Sequence, residues 1–351
     1  MTVSMSVKTR ANKQSGATIK DVASAAGVSA MTVSRVLNAE PNVRPATRER
    51  VQAAIRDLNY RPNLSARNLA RANAYFIGLL YDNPSAGYIS ELLIGALNRC
   101  RASGYHLVLE SCGAAGEDWA SQIAAMLQTS NFDGIIMPPP VCDLPEVLDA
   151  VTAAGIPYVR ISPDTDPDRA PCILTDDRAA ARRMTEYLIA LGHTRIGFIL
   201  GPEAHGASRE RQAGFLEGLQ AHGLTADPAL IVPGAFTYRS GLDAAETLLS
   251  LPTRPTAIFA SNDDMAVAVI ALAHKHALDV PRDLTVVGFD DTQTATAIWP
   301  QLTTVRQPIS DMSSAAIDLL ASHLDGDTEA GARHEIRSEI IIRDSSAAPA
   351  V

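Results

Sequence analysis

Hydrophobic and polar positions alternate in two different ways along this chain, and the change near residue 75 predicts two kinds of structure. Before it, apolar residues recur at the three- and four-residue spacing of short helices. After it, short β-rich runs alternate with longer amphipathic helical runs. The pattern therefore predicts a small helical head followed by a larger body of strands and helices.

The head is predicted to contain three short helices around a miniature core. Thr18 is a good N-cap with Asp21 three residues on, and Gly27 ends the helix that Thr18 starts. Ser29 caps the second helix, and Pro45 lies in the first turn of the third, which runs to residue 60. The predicted core residues are Val22, Ala23, Ala26, Val28, Val33, Val36, Leu37, Val51, Ala54, Ile55 and Leu58. The second helix is left with a polar, exposed face.

The body contains more β-rich runs than one sheet of ordinary size can hold. Strands are predicted in YFIGLLYD, YHLVLES, DGIIMPP, PYVRIS, APCILTD, RIGFILG, ALIVP, TAIFASND and LTVVGFDD. Strands joined by crossover helices form parallel sheets that are covered on both faces. We therefore expect two doubly wound lobes, which bind ligands beyond the carboxyl ends of their strands.

Charge is distributed unevenly, which changes what the net charge of -9 implies. Residues 1–73 carry 12 Lys and Arg against 4 Asp and Glu, a net charge of +8, and the remainder carries -17. A basic head can face phosphates while an acidic body stays away from the polyanion. On charge alone a disordered basic tail is the alternative, and residues 1–16 are expected to be one.

Length and cysteine usage narrow the class of protein. The 351 residues and a hydrophobic fraction of 46% suffice for two or three globular units. The cysteines, Cys100, Cys112, Cys142 and Cys172, show no CxxC pair and no neighbouring histidine cluster, so neither disulfides nor zinc are indicated. No apolar run approaches membrane-spanning length. We expect a cytoplasmic protein without metal, cofactor or membrane partner.

Catalytic motifs are absent from the sequence. It contains no GxSxG, HExxH, GxxxxGKS or GxGxxG. The pairs Asp263–Asp264 and Asp290–Asp291 raise the possibility of glycoside hydrolysis, but adjacent residues at a strand end point to different sides, whereas two carboxylates must flank one bond. Asp263 and Asp291 are expected to cap the helices that follow. An enzyme is therefore not expected.

Polar side chains cluster where predicted strands end. The candidates are Asp82, Asn83, Arg160, Ser162, Arg211, Phe236, Asn262 and Asp290. Asp, Asn and Arg side chains each pair with two adjacent hydroxyls, and an aromatic ring covers the apolar face of a sugar. The pattern therefore favours a sugar-like ligand.

Several motifs together resemble the LacI/GalR (lactose-repressor) family of bacterial transcription regulators. They are TIKDVASAAGVSAMTVSRVLN, VRPATRERVQAAIRDLNYRPN and ARNLA in the first part, and IALGHTRIGFILG, SRERQAGF, TAIFASNDDMA, VVGFDD and LTTVRQP in the body. The resemblance covers nearly the whole chain from Thr18. It implies an all-α helix-turn-helix head (17–62), a hinge helix (63–73) and a two-lobed, periplasmic-binding-protein-like α/β body (74–346) with doubly wound parallel sheets. The first lobe is expected at about 74–174 and 305–334, and the second at about 175–304 and 335–346.

The resemblance makes the second helix of the head the one that enters the major groove. A helix with small and polar side chains at its N-terminal end and an arginine further along fits that groove. Arg35 is expected to reach a guanine edge or a phosphate, and Ala30 and Met31 to make apolar contacts, for example with thymine methyls. The predicted DNA contacts in the head are Thr18, Ser29, Ala30, Met31, Thr32, Ser34, Arg35 and Asn38. The alternative is a surface helix that touches no DNA.

Asn63, Ala66 and Leu69 match hinge positions of the family. By resemblance, this hinge helix orders only in the DNA-bound dimer, and Leu69 enters the minor groove as an apolar wedge that kinks the duplex. A plain linker is the alternative, because the segment has little core of its own.

The resemblance also implies which residues bind the effector. It places Arg211, Phe236, Asn262, Asp290 and Gln307 in the pocket, joined by Asp82, Ser85 and Tyr88 from the first lobe. Arg160 departs from the apolar family pattern on its strand. It indicates either an anionic ligand, such as a sugar acid or phosphate, or a pairing with a cleft carboxylate, which we favour.

The implied function is effector-responsive repression of a carbohydrate-utilisation operon, with a homodimer on a palindromic operator. Response to a purine or a sugar acid is the alternative, and a solute-binding protein is a second one, although that class needs a signal peptide where this chain has a basic head. Dimerisation is expected through Ile89, Leu92, Leu93, Ala96 and Leu97, which equally fit the core of the first lobe.

Overall fold

A computed structural model describes residues 17–37, 42–58, 60, 76–112, 119–324, 326 and 331–350. They belong to two units, residues 1–74 and residues 75–351. The expected N-terminal tail and hinge helix lie outside the described residues, as do Asn38, Asn63, Ala66 and Leu69.

The first unit consists of the helices α1 (Ile19–Ala26), α2 (Ala30–Leu37) and α3 (Pro45–Asp57). The predicted capping box is present, since the Thr18 side chain accepts the Asp21 N–H and the Asp21 carboxylate accepts the Thr18 N–H at 2.8 Å. Gly27 ends α1 at a φ of 63°, and the Ser29 hydroxyl accepts the Thr32 N–H at 3.2 Å. The local signals in the sequence therefore place α1 and α2 correctly.

The core of this unit contains nearly all of the predicted apolar positions. Val22, Val33 and Val51 are fully buried at its centre. Leu58 was predicted in the core and is instead 37% exposed. Helix α3 ends at Asp57, three residues before the predicted end, and Leu58 is its C-cap.

The second unit alternates strands and helices. Its strands are β1 (Phe76–Tyr81), β2 (His106–Ser111), β3 (Gly134–Met137), β4 (Tyr158–Ile161), β5 (Cys172–Thr175), β6 (Ile196–Ile199), β7 (Ile231–Val232), β8 (Ala257–Ala260), β9 (Thr285–Asp290), β10 (Thr303–Arg306), β11 (Arg333–Ile336) and β12 (Glu339–Ile341). Its α-helices are α4 (Ala86–Ser103), α5 (Trp119–Thr129), α6 (Pro145–Ala153), α7 (Asp177–Ala190), α8 (Gly206–Ala221), α9 (Tyr238–Leu249), α10 (Asp263–Lys275), α11 (Gln293–Ala297) and α12 (Ile309–Leu324). Short 3₁₀ helices span Val141–Asp143 and Pro228–Leu230.

The described strands form two six-stranded sheets, and each sheet with its helices is one lobe. The first lobe has the strand order β11-β5-β4-β3-β1-β2, with every pairing parallel. The second has the order β12-β10-β9-β8-β6-β7, and only its edge strand β12 is antiparallel. This confirms the two doubly wound lobes.

The chain crosses between the lobes three times, after β5, β10 and β11. The later crossovers differ slightly from the expected boundaries at 305 and 335, because β10 runs to Arg306 in the second sheet and β11 runs to Ile336 in the first. The expected boundaries of the lobes therefore move by two residues.

Apolar side chains fill both faces of each sheet, as alternation along a strand requires. In the first lobe, Leu79 and Ile136 pack in one cluster while their neighbours Leu80 and Ile135 pack in another. In the second lobe, Phe198 and Ile199 divide in the same way. Each such side chain contributes about 2 kcal/mol when fully buried. Among the described helices, none combines the length and apolar composition needed to cross a bilayer.

The residues after β12 form hydrogen bonds with the second lobe. The Ser345 hydroxyl accepts the Thr303 N–H at 2.8 Å and donates to the Val286 carbonyl at 2.6 Å. The Ala347 carbonyl lies 2.9 Å from a ring nitrogen of His193, and burial lowers the pKa of that histidine. His193 is therefore a structural residue.

Candidate functional site

The outward face of α2 carries the described part of the predicted DNA contacts. Ala30, Met31 and Arg35 are exposed, and Thr32 and Ser34 are half-buried. Val33 and Val36, on the opposite face, pack into the core of the head. Met31 is 65% exposed, so its apolar side chain is available for contact. The helix thus presents an apolar tip with an arginine one turn further along.

In the second unit, a cavity lies between the lobes at the carboxyl ends of their strands. Its lining residues are Asn83, Ser85, Tyr88, Pro139, Ser162, Asp177, His205, Ala207, Arg211, Phe236 and Gln307. Asn83 and Ser162 follow β1 and β4 of the first lobe, whereas His205 and Phe236 follow β6 and β7 of the second. The cavity has about 30 Å³ of free space, enough for one or two water molecules. A larger ligand therefore needs the lobes or their side chains to move apart.

Arg211, from α8, is the central charge of this site. It is 4% exposed, and its Nε donates to Asp177 Oδ1 at 2.7 Å while its Nη1 donates to the Ser261 carbonyl at 2.6 Å. Its guanidinium carbon lies 3.7 Å from the centre of the Phe289 ring. Burial opposes the charge, but Asp177 and Asp290 outweigh it, so the pKa of Arg211 is raised. Two hydrogen bonds and the Phe289 ring therefore fix the orientation of the guanidinium.

Asp177 joins Arg211 to the crossover between the lobes. The Gln307 side-chain N–H donates to Asp177 Oδ1 at 3.1 Å, the same oxygen that accepts from Arg211. Asp177 is not among the residues predicted from the sequence, although it follows strand β5 and the strand-end rule applies to it. His205 was missed as well, and it stands in a loop after a strand, whereas Asn83 and Ser162 were among the strand-end candidates and do line the cavity.

Asp290 has an acceptor that is not satisfied by the protein. It is 4% exposed, its Oδ1 lies 3.5 Å from Arg211 Nη1, and that oxygen has no hydrogen-bond partner among the described residues. Burial raises the pKa of Asp290 well above its usual value, and Arg211 opposes this only in part. A buried carboxyl with a spare oxygen is suited to bind a hydroxyl.

Two residues that line the cavity have a strained backbone. Ser162 and Phe236 have φ values of 47° and 56°, a region that side chains other than glycine rarely adopt, and Asp290, which faces Arg211, has a φ of 113°. Such strain costs about 1–3 kcal/mol per residue. Strain at Ser162 and Phe236 is consistent with a binding role for this cavity.

Arg160 does not face the ligand cavity, which corrects its assignment as an effector contact. It is fully buried in the first lobe, where its donors bind the carbonyls of Cys142, Thr165 and Asp166 at 2.6 to 2.7 Å. Its Nη2 pairs with Asp143 Oδ1 at 2.8 Å. The pairing alternative is therefore correct, but the partner carboxylate belongs to the first lobe and does not line the cavity.

Asn262 and Asp82 also differ from expectation. Both polar ends of Asn262 are engaged, because its Oδ1 caps α10 by accepting the Met265 N–H and its Nδ2 donates to the Phe236 carbonyl. Asn262 thus positions Phe236 instead of offering free groups. At the end of β1, the cavity is lined by Asn83 and not by Asp82.

Asp263 and Asp291 were expected to cap helices, and that expectation is wrong. Asp263 is buried and accepts from the Thr292 N–H at 2.8 Å and from the Thr304 hydroxyl at 2.6 Å, while burial raises its pKa to about 7. Asp291 forms ion pairs with Arg306 and Arg343. Both carboxylates therefore tie loops of the second lobe together.

His205 makes a testable contribution to stability. Burial, followed by the charges of Arg211 and Arg209, lowers the pKa of His205 from 6.5 to about 4. Between about pH 6.5 and pH 4, the unfolded chain therefore binds a proton at His205 that the folded chain does not bind. The contribution of His205 to the free energy of unfolding is complete above pH 6.5 and is lost as the pH falls toward 4. We expect His205→Asn to reduce the loss of unfolding free energy between about pH 7 and pH 4.5 by roughly 2 kcal/mol, measured by urea denaturation.

The matched control for this prediction is His222→Asn, since His222 is an exposed residue at the end of the same helix. It should leave the pH dependence of the unfolding free energy unchanged. An equal effect of the two substitutions would contradict the role assigned to burial.

Comparison with known proteins gives matches in both units. The family of bacterial regulatory proteins of the lacI type matches residues 18–63, and the periplasmic binding protein-like domain matches residues 185–346. The ribose operon repressor of Escherichia coli (strain K12) is 35% identical over 310 residues, which cover 87% of this chain and 92% of the repressor. The HTH-type transcriptional repressor PurR of Vibrio atlanticus (strain LGP32) is 32% identical and covers 94% of this chain and 98% of its own length.

Solved structures show the same similarity across both units. The lac repressor dimer bound to operator and the anti-inducer ONPF aligns with a TM-score of 0.79 at 28% sequence identity. The alignment covers 95% of this chain and 100% of that chain. The similarity therefore extends from the head through both lobes.

Proposed function

Since the chain belongs to the LacI family of bacterial regulatory proteins, we propose that it is a repressor that binds a palindromic operator as a homodimer and a sugar-like effector between its lobes. It is a transcriptional regulator and not an enzyme. The observation that carries the proposal is the combination, in one chain, of the exposed face of α2 and the buried Arg211 site between two lobes. Its place of action is the cytoplasm, where the operator DNA is.

The charges around the cavity favour an uncharged, hydroxyl-rich effector over a sugar acid. The charge of Arg160 is paired with Asp143 within the first lobe, and that of Arg211 is paired with Asp177. An anionic ligand would therefore meet the carboxyls of Asp177 and Asp290 without a spare cation to balance its charge. A neutral sugar can instead bind the free oxygen of Asp290 and the rim of the guanidinium.

For the dimer, we propose a surface on α4 and β2. Leu92 and Ala96 were candidates for the interface, but both are fully buried in the core of the first lobe. Ile94, Leu97 and Leu109 are 51%, 46% and 45% exposed. These exposed apolar side chains, and not the buried ones, are available to a second copy of the chain.

An electrophoretic mobility shift with the chain's own promoter region tests the proposal. We expect a complex that survives excess competitor DNA and whose affinity falls steeply as salt rises, because lysines and arginines of the head displace counterions from phosphates. A promoter-dependent complex must therefore form at low salt, and its absence would contradict the regulator function.

The same assay tests the class of effector. Neutral mono- and disaccharides are added to the complex in one series, and sugar acids of matched size are added in another. We expect a neutral sugar to change the fraction of bound DNA. A change seen only with sugar acids would overturn the charge argument without affecting the assignment of DNA binding.

A further inference from the structure

Two carboxylates form contacts between the lobes, at separate places around the cleft. Asp264, in the first turn of α10 in the second lobe, accepts a hydrogen bond from the Ser85 hydroxyl of the first lobe at 2.9 Å. Asp164, in the loop after β4 of the first lobe, pairs with Arg209 on α8 of the second lobe. Neither aspartate was predicted as a site residue from the sequence.

Each of these carboxylates lies at the start of a helix in the opposite lobe. Ser85 is the N-cap of α4, and its hydroxyl also accepts the Tyr88 N–H at 3.3 Å, so Asp264 is one hydrogen bond away from that helix end. On the other side, Asp164 packs against Gly206, the first residue of α8. Helix N-termini favour negative charge, so both contacts are electrostatically matched.

Close packing accompanies both polar contacts. A Cβ added to Gly206 would lie 2.2 Å from the Cβ of Asp164, so only glycine leaves room for that aspartate. A Cβ added to Gly87, in the first turn of α4, would lie 3.0 Å from Thr292 Cγ2 in the second lobe. The lobes therefore touch through backbone and side chain around each carboxylate.

We propose that these two contacts are clasps that hold the lobes closed on one another and set the fraction of closed molecules. The inner clasp is Ser85–Asp264, and the outer clasp is Asp164 with Arg209 and Gly206. A hydrogen bond to a partly buried charge is stronger than an exposed ion pair, and Arg209 is half exposed. The inner clasp is therefore the dominant one.

The clasps would set how tightly the cleft binds a ligand. A ligand enclosed between the lobes binds the closed form, so its apparent affinity falls in proportion to the closed fraction once that form becomes a minority. This step alone rests on the proposed effector site. The closure itself is a property of the chain that can be measured without effector or DNA.

The test is a distance measurement by pulsed electron paramagnetic resonance on the full chain. Nitroxide labels are placed on cysteines introduced at Ala153 in the first lobe and Ala221 in the second, which are both exposed. The four native cysteines are buried and are therefore shielded from the label. The distance distribution then reports the ratio of closed to open molecules.

We expect Asp264→Ala to lower the ratio of closed to open molecules about tenfold and Asp164→Ala about threefold. Arg209→Ala should have a smaller effect than Asp164→Ala, and the double variant of that pair should equal Asp164→Ala, because that substitution already removes the ion pair together with the packing on Gly206. Combining Asp164→Ala with Asp264→Ala should multiply the two effects. Gly206→Ala should open the lobes by displacing Asp164.

The control is Asp243→Ala, which removes an exposed aspartate that pairs only with Arg239 on its own helix in the described structure. It should leave the distance distribution unchanged. Thermal unfolding of every variant checks that the body is folded. Unchanged distances in folded Asp264→Ala and Asp164→Ala, or an equal change in the control, would overturn the clasps whatever the effector proves to be.

Discussion

Replacing Arg211 by alanine is expected to abolish the response to effector while the head keeps its affinity for operator. The substitution removes the donor that holds Asp177 and faces Asp290, and it leaves both carboxyls buried without a cation. Breaking a buried pair in this way costs about 3–5 kcal/mol of folding free energy. We therefore expect two effects together. Effector affinity should fall by more than about 100-fold, and the free energy of unfolding should fall by about 3 kcal/mol.

The two losses are measured separately. Operator binding with and without neutral sugar follows the response, and urea denaturation follows the free energy of unfolding. Arg211→Lys keeps the charge but lacks the planar fork, so it should recover much of the stability and little of the response. Arg178→Ala is the matched control, because Arg178 forms a half-exposed ion pair with Glu217 on the neighbouring helix. A normal response in Arg211→Ala would disprove the central role of this side chain.

Replacing Arg35 by alanine is expected to weaken specific operator binding about 10- to 100-fold and non-specific binding only a few-fold. Arg35 is exposed near the end of α2, where an arginine fork can reach the paired acceptors of a guanine edge, a contact worth about 1–3 kcal/mol of base discrimination. The measurement is a mobility shift with the operator and with scrambled DNA of the same length.

Arg239→Ala controls for the change in net charge in the Arg35 experiment. Arg239 is a surface residue of the body, with 82% of its side chain exposed. If both variants lost operator affinity equally, the effect would come from overall charge and not from the face of α2. Equal losses of Arg35→Ala on operator and scrambled DNA would instead assign Arg35 to a phosphate.

Local sequence signals were sufficient for the architecture. The capping box at Thr18 and the continuous apolar run of β1 need only neighbouring residues, and each predicts its element correctly. Strands β10, β11 and β12 were not predicted. β11 and β12 are short edge strands, and β11 has mostly exposed side chains, whereas β10 is buried but its four residues, TTVR, show no apolar alternation. An edge strand is specified mainly by the partner that it pairs with.

The binding site was predicted in outline and less well in detail. Strand ends indicated the right edge of each sheet, and Arg211 and Gln307 do line the cavity. The sequence could not show that Arg160 is engaged by Asp143 and by carbonyls of the next loop, because those contacts depend on how the loop folds back. The same limit applies to Asp263, whose donors come from residues 29 and 41 positions away.

The fastening of Ser345 and Ala347 to the second lobe has a consequence for protein synthesis. The second lobe is complete only when Ser345 and Ala347 have left the ribosome, and the first lobe also needs α12 and β11, which follow most of the second lobe in the sequence. The head needs only local contacts and is made before both lobes. A product that stops before α12 therefore carries a DNA-reading head without either finished lobe, so premature termination would yield a binder that no effector can control.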